Sequence, residues 1–327
     1  MRTITFFYGI IICLNTITAQ TFFGSEPLAN TFSIVARDSV TGEMGVAVQS
    51  HWFNVGAVVS WGEAGVGVVA TQSFVNPSFG IRGLELLKQG LSPEEAVNKL
   101  ISEDEGRDVR QLAILDVKGR VAAYTGKDCI PAAGHITGNN FSVQANLMLN
   151  DKVWPEMAKA FEQTEGPLAE RMVSALEAAQ KAGGDIRGKQ SAAILVVKGT
   201  SSGKVWEDRL IDLRVEDNPE PIKEIKRVLK VYRAYEHMNA GDLATEKGNM
   251  ELAMKEYSTA EKMFPDNEEM RFWHAVTLAN NGFLEKSIPI FKKLFAENKN
   301  WKILTPRLVT VGQLKVNKTE LKKIIGE

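Results

Sequence analysis

Short apolar runs separated by polar turns occupy residues 31–215. The runs at residues 31–36 and 45–48 flank an Asp/Gly turn at residues 38–42, and this pattern predicts a β-hairpin. The second run ends in the polar residues 49–51. Polar side chains at the end of a buried strand need partners, because burying them without hydrogen bonds costs free energy. The hairpin is therefore predicted to carry a polar cluster at one end.

The rest of this region alternates between strand and helix patterns. β-branched runs between glycines predict strands, and apolar residues three or four apart predict helices. Ser92 and Glu95 predict a capping box at the start of one helix. The predicted strands lie at 57–61, 65–70, 110–116, 121–125, 140–148, 192–197 and 206–215, the helices at 81–89, from 92, at 155–164 and at 167–181, and the glycine-rich loops at 129–138 and 183–191. This periodicity alone predicts an α+β fold.

The pattern becomes purely helical from about Tyr235, after two prolines near residue 220 that mark a boundary. Here similar residues recur at a spacing that resembles the 34-residue tetratricopeptide repeat. Such repeats usually provide surfaces for protein partners. We therefore expect a connecting helix at 216–234 and an all-α helical-repeat module at 235–327 with a protein partner. The recurring pairs are Gly248 and Gly282, Ala253 and Ser287, Tyr257 and Phe291, and Ala260 and Leu294.

Charge and the first residues bear on the compartment. The net charge of −1 gives no reason to expect binding to nucleic acid. Residues 1–19 combine Arg2, an apolar core and a small-residue end, which is typical of a secretory signal peptide too short to span a bilayer. We expect cleavage after Ala19, a secreted or periplasmic protein without a membrane anchor, and a leader at residues 20–30.

Five separate blocks carry a resemblance to a known family. The blocks are TFSIVARD, VAVQSHWFNVG, ATQSFVNPSFG, FSVQANLM and GGDIRGKQSAAILVV. Together they resemble family 1028 of the domains of unknown function, and the opening hairpin resembles that of N-terminal-nucleophile hydrolases. The resemblance implies a four-layer α-β-β-α sandwich over residues 31–215. It also implies that Thr31 is a nucleophile whose own α-amine, with a pKa of about 8, acts as the base.

In such a sandwich, strand ends from distant segments would meet near Thr31. Asn146 or a backbone N–H would stabilise an oxyanion, and His135 would be either a proton carrier or a structural residue. Arg187 would hold a substrate carboxylate, whereas Asp185 would either contact the substrate or only neutralise Arg187. The predicted catalytic residues are Thr31, Asn146 and His135, and the predicted substrate-binding residues are Gln49, Ser50, Asp185, Arg187 and Gln190.

Two functions remain open at this stage. The first is a secreted amide hydrolase acting on a small amide or peptide-like ligand, with no metal or cofactor. It requires a second cut at Asn30–Thr31, because signal removal alone leaves residues 20–30 ahead of Thr31. The second is a non-catalytic ligand- or protein-binding protein, with a homodimer as an expected assembly for either. Catalysis by Ser50 with His51 ranks last, because adjacent residues in a strand point to opposite faces.

Overall fold

The computed structural model describes residues 28–327 of the chain. Up to Val215 these residues form a mixed α and β structure with two antiparallel sheets. The strands are β1 Leu28–Ala29, β2 Thr31–Arg37, β3 Met44–Ser50, β4 Ser60–Glu63, β5 Gly67–Phe74, β6 Arg110–Asp116, β7 Val121–Thr125, β8 Gly134–Gly138, β9 Phe141–Ala145, β10 Ser191–Val197 and β11 Arg209–Val215.

Helices occur between the strands and throughout the rest of the chain. The helices are α1 Gly56–Val59, α2 Ser78–Lys88, α3 Pro93–Ser102, α4 Val153–Gln163, α5 Leu168–Lys181, α6 Val205–Asp208, α7 Pro221–Glu246, α8 Met250–Met263, α9 Glu268–Asn280, α10 Leu284–Glu297, α11 Lys299–Thr310 and α12 Lys318–Ile325. None of the helices in residues 28–327 is long and apolar enough to cross a membrane.

Each sheet is formed by strands from separate parts of the chain. The first sheet has the order β1-β5-β6-β7, with β4 also paired to β5, and the second has the order β11-β10-β3-β2-β9-β8. The β2–β3 hairpin therefore lies at the centre of the second sheet, where Thr31 is opposite Ser50. This central position buries both strands almost entirely and explains their nearly continuous apolar character.

Three apolar clusters show how the elements pack. One cluster lies between the two sheets and includes Val35, Val68 and Leu115. A second lies between the outer face of the second sheet and α4, α5 and α7, and a third lies between the first sheet and α2 and α3. Helices thus cover the outer faces of two sheets that face each other. The free energy of this packing comes from apolar area removed from water.

Several sequence predictions are confirmed and others are wrong in detail. The hairpin and the Ser92–Glu95 capping box are present. The predicted strand at 57–61 is instead one turn of helix followed by β4, and the strand predicted from 206 begins only at Arg209. Residues 134–138, predicted as loop, form β8, because they pair with β9 at the edge of the second sheet. Local pattern could not reveal that pairing.

The C-terminal region is helical, as predicted. Gly248 and Gly282 both adopt positive φ, 71° and 78°, at turns between helices. The other three pairs of residues at the same spacing are all buried. Helix α7 runs without a break from Pro221 through residue 235, where the sequence pattern placed the start of the repeats. The predicted signal peptide and most of the leader lie outside the described residues.

Candidate active site

The chain crosses from one sheet to the other immediately before Thr31. Residues 28–29 form the edge strand β1 of the first sheet, whereas Thr31 begins β2 in the second. Asn30 is the single residue between them. Asn30 and Thr31 both have 0% of their surface exposed. The peptide bond that would have to be cut to free the Thr31 amine is therefore buried between the sheets.

The carbonyl oxygen of Asn30 accepts two hydrogen bonds from side chains. Ser50 Oγ donates at 2.5 Å, and Arg187 Nη2 donates at 2.8 Å. Ser50 reaches this oxygen because it is the cross-strand neighbour of Thr31. A hydroxyl and a guanidinium on one carbonyl oxygen withdraw electron density from the carbonyl carbon. The same donors would stabilise negative charge on that oxygen.

Asp185 holds Arg187 in this position. Its carboxylate accepts from Arg187 Nε at 3.0 Å and from Nη2 at 2.7 Å, in the two-pronged geometry that guanidinium groups favour. It also accepts from the backbone N–H groups of His51 and Arg187. Asp185 is buried, whereas Arg187 is partly exposed. The pair thus connects the GGDIRGKQS loop to the end of β3.

Thr31 is fixed through both its side chain and its main chain. Its Oγ1 donates a hydrogen bond to the carbonyl oxygen of Ala29. Its own carbonyl oxygen accepts from the backbone N–H of Asn146 at 3.1 Å and from Gln72 Nε2 at 3.2 Å. The Thr31 hydroxyl thus bonds to the carbonyl of Ala29, the residue before Asn30. It lies on the face of β2 that points toward the first sheet.

A network of buried glutamines extends from Thr31 through the space between the sheets. Gln72 Nε2 donates to Gln111 Oε1 at 2.6 Å, and Gln72 Oε1 accepts from Ser33 Oγ at 2.6 Å. Ser33 Oγ in turn accepts from Gln144 Nε2 at 2.6 Å. All four residues are fully buried. Their bonds run in one consistent donor-to-acceptor order, so the network satisfies its own buried polar atoms.

His135 lies at the far end of this network. Gln111 Nε2 donates to Thr125 Oγ1 at 2.8 Å, and Thr125 Oγ1 is 2.8 Å from His135 Nδ1. Burial lowers the pKa of His135 below its usual value near 6.5. The side-chain path from His135 to Thr31 therefore runs through Thr125 and then through the amides of Gln111 and Gln72, which hold positions but do not readily pass protons.

The other predicted site residues take different positions. Asn146 lies beside Thr31, but its side-chain Nδ2 donates to Gln111 Oε1 at 2.9 Å. Gln49 lies two residues after Ala47 along β3, so both side chains face the helices on the outer side of the second sheet, away from Ser50. Gln190 donates to Asp217 at 3.2 Å, outside the inter-sheet space. The structure thus gathers Thr31, Ser50, Asp185, Arg187 and Asn146 and leaves Gln49 and Gln190 apart.

The glutamine network was not predicted from the sequence. Each of its residues is a polar residue within a mostly apolar strand, which is the same pattern that led to the prediction of Gln49 and Ser50 as site residues. The missed residues are Ser33, Gln72, Gln111, Thr125 and Gln144. Within residues 28–327 no group of three or more His, Cys, Asp or Glu residues could hold a metal ion. The groups around the Asn30–Thr31 peptide bond are hydroxyls, a guanidinium and amides.

Known proteins match the part of the chain that contains this site. Residues 31–225 match the model of a family of unknown function, DUF1028. The chain is similar to the crystal structure of protein SPO2555 from Silicibacter pomeroyi, which carries the same family description. The two are 32% identical, with a TM-score of 0.56, over 62% of this chain and 85% of that chain. No curated protein matches the chain. Because the family model matches more than half of its length, the chain belongs to the family of unknown function DUF1028.

Proposed function

We propose that this protein is an amide hydrolase of the N-terminal-nucleophile type, with Thr31 as the nucleophile. In this proposal the chain first cuts its own Asn30–Thr31 bond and then acts on an external amide or peptide-like substrate. The two-sheet arrangement covered by helices is consistent with the sandwich implied by the sequence resemblance. The single observation that carries the proposal is the pair of donors on the Asn30 carbonyl oxygen.

Most peptide carbonyls inside a sheet bond to backbone N–H groups, which are neutral donors. The Asn30 carbonyl instead has a hydroxyl and a cation, at the bond directly ahead of a threonine. Donors placed where negative charge develops favour attack on a carbonyl, and removal of one such donor lowers rates by about 100- to 1000-fold in known enzymes. Asp185 supports this role by keeping the guanidinium oriented.

The self-cleavage step balances without a cofactor. The Thr31 hydroxyl oxygen bonds to the Asn30 carbonyl carbon, the C–N bond to Thr31 breaks, and the hydroxyl proton ends on the Thr31 nitrogen. Water then hydrolyses the ester. The products are a carboxyl group on Asn30 and a Thr31 with both a free amine and a free hydroxyl.

The freed Thr31 would then carry out the external reaction. Its α-amine, with a pKa of about 8, would take the hydroxyl proton as the oxygen attacks a substrate amide. Ser50 and Arg187 would receive the substrate carbonyl oxygen in place of that of Asn30. The leaving amine would take the proton, and water would release the acyl group from Thr31. Gln72 and the Asn146 N–H would keep Thr31 in place throughout.

Intact-mass measurement of the full chain tests the first step. We expect a species that begins at residue 31 from the native chain and from Thr31→Ser, and none from Thr31→Ala. Arg187→Met should slow cleavage by about 100-fold or more, because the carbonyl loses its charged donor. Lys189→Met, two residues along the same loop, is the matched control and should cut at the normal rate. Full-length protein that never yields a Thr31 N-terminus would contradict the proposal.

The burial of Thr31 favours a second candidate, a binding protein that keeps the fold without catalysis. Its hydroxyl donates to Ala29 and is closed off from solvent as long as residues 28–30 remain in place. In that case the C-terminal helices, whose buried residues repeat every 34 positions, would be a tetratricopeptide-like surface for a protein partner. An uncut but stable and ligand-binding chain would support this second function.

A further inference from the structure

The slot filled by residues 28–30 has the features of a peptide-binding site. Leu28 and Ala29 pair with Phe74 and Ser73 as an edge strand of the first sheet. Main-chain pairing of this kind is how extended peptides add to sheet edges in many complexes. The segment's last carbonyl oxygen is held by Ser50 and Arg187. The segment is thus bound along its length by groups that would bind any extended chain of suitable size.

We propose that this slot is the acyl-side binding site for an extended peptide substrate. The proposal rests on the proposed function for its chemistry, whereas the binding itself does not require catalysis. In this view residues 28–30 occupy the site as a built-in ligand. An external peptide takes their place as an added strand on β5, and its carbonyl at the cut bond contacts Ser50 and Arg187.

The surroundings of residues 28 and 29 set the preferred side chains. Ala29 has no exposed surface and belongs to the apolar cluster between the sheets, so this position admits only a small residue. Leu28 is half-buried at the rim, where a range of apolar side chains would fit. The preferred peptide is therefore extended, with a small residue one position before the cut residue.

The site around the Asn30 side chain selects for side-chain size and not for an amide group. Its side chain is fully buried, yet neither Nδ2 nor Oδ1 has a partner among residues 28–327. A buried amide without partners is unfavourable, so an apolar side chain of the same size would be favoured there. The substrate class is then an extended peptide with leucine or a similar residue at the cut, and the leader is a poorer analogue that stays in the slot of the uncut chain because it is covalently tethered there.

Binding to an uncut full chain tests the slot apart from any chemistry. The protein is the full chain with Thr31→Ala, to prevent cleavage, and Ala29→Arg, whose side chain does not fit the buried position and expels the leader. The probes are acetyl-Leu-Ala-Asn-amide, the same peptide with leucine in place of asparagine, and a control with arginine in place of alanine. Calorimetric titration at millimolar peptide concentrations measures the affinities, and circular dichroism verifies that the protein is folded.

We expect the asparagine peptide to bind this chain, the leucine peptide to bind several-fold more tightly, and the arginine control to bind at least tenfold more weakly. Adding Arg187→Lys should weaken the first two peptides, because the guanidinium contact is lost. The Thr31→Ala chain with an intact leader should bind none of them measurably. Should Ala29→Arg not fold, Leu28→Gly at the half-buried rim provides the same test.

The slot proposal would be overturned if the asparagine peptide and the arginine control bound with equal affinity. It would also be overturned if the folded Thr31→Ala, Ala29→Arg chain bound none of the peptides. Self-cleavage at Asn30 without peptide binding would leave the proposed function standing and remove the slot. Peptide binding by the Thr31→Ala, Ala29→Arg chain, together with no self-cleavage of the native chain, would support the slot and contradict the proposed function.

Discussion

The space between the two sheets is built in two different ways. At one end, apolar side chains such as Val35, Val68 and Leu115 pack together. At the other end, next to Thr31, the same strands contribute buried polar residues. Strand β6 shows the change within one element, because it carries Gln111 at one end and Leu115 at the other. Both ends are closed to solvent, so exposure does not explain the difference.

The two ends differ in what they specify. Apolar packing is non-directional and tolerates modest rearrangement if total volume is kept. Hydrogen bonds between buried amides fix both distance and orientation, and a missing partner is costly. A fold that needed only stability could have used apolar residues at both ends. The glutamines therefore serve to place the main chain of Thr31, and the apolar end supplies stability.

The largest expected effect on stability is at the apolar end. Leu115→Ala should lower the free energy of unfolding by about 2–5 kcal/mol, because it leaves a cavity in a fully buried position. Chemical denaturation measures the change. Val40→Ala is the control, since that side chain is 92% exposed and should change stability by less than about 0.5 kcal/mol. Equal values for the two variants would show that the sheets are not packed at Leu115.

A smaller loss is expected at the polar end. Gln72→Leu should lower the free energy of unfolding by about 1–3 kcal/mol, because it leaves the Thr31 carbonyl and Gln111 Oε1 each with one donor fewer in a buried site. It should also slow self-cleavage, which Leu115→Ala should not. Gln190→Leu, at a partly exposed residue, is the matched control. A neutral Gln72→Leu variant would mean that the network does not constrain the strands.

Coupling within the network is expected to be smaller still. Ser33 Oγ accepts from Gln144 and donates to Gln72, so Ser33→Ala and Gln144→Leu share one set of bonds. Their effects should depart from additivity by about 0.5–3 kcal/mol in a double-mutant cycle. Ser33→Ala combined with Val40→Ala should be additive. Strict additivity in the first pair would show that the two side chains act independently.

The smallest effect concerns pH. Burial lowers the pKa of His135 below about 6.5, its value in the unfolded chain, so the unfolded state binds a proton more readily. This contribution to stability is complete above about pH 6.5 and is lost as the pH falls toward the lower folded-state pKa. His135→Gln should remove that part of the acid dependence. Denaturation midpoints on both sides of about pH 6.5 measure it, and an unchanged slope would contradict burial of the imidazole.

Much of the fold was predictable because it is local. Turn residues located the β2–β3 hairpin, and the capping residues located the start of α3. The paired region of residues 134–138 was not predictable, because it becomes a strand only through its contact with β9. The helical character of the C-terminal region was predicted from similar residues that recur 34 positions apart.

The site was predictable only in part. Ser50 and Arg187 both bond to the Asn30 carbonyl oxygen, next to Thr31. The polar end of β3 indicated Ser50, whereas Arg187, in a glycine-rich loop, was indicated by the sandwich that the family resemblance implies. Gln49 has the same local signal as Ser50 but faces the opposite side of the strand, which alternation decides only once the buried face is known. The glutamines of β5 and β6 were not predictable, because each is a single polar residue whose partners lie on strands distant in sequence.

The order of strands in the second sheet has a consequence for synthesis on the ribosome. Strand β3 pairs on one side with its hairpin neighbour β2 and on the other with β10, in which Ser191 is opposite Ser50. At translation rates of about 5–20 residues per second, β10 emerges on the order of ten seconds after β3. During that interval an apolar strand has an open edge, which is a template for aggregation. Newly made chains should therefore depend on chaperone protection until β10 is complete.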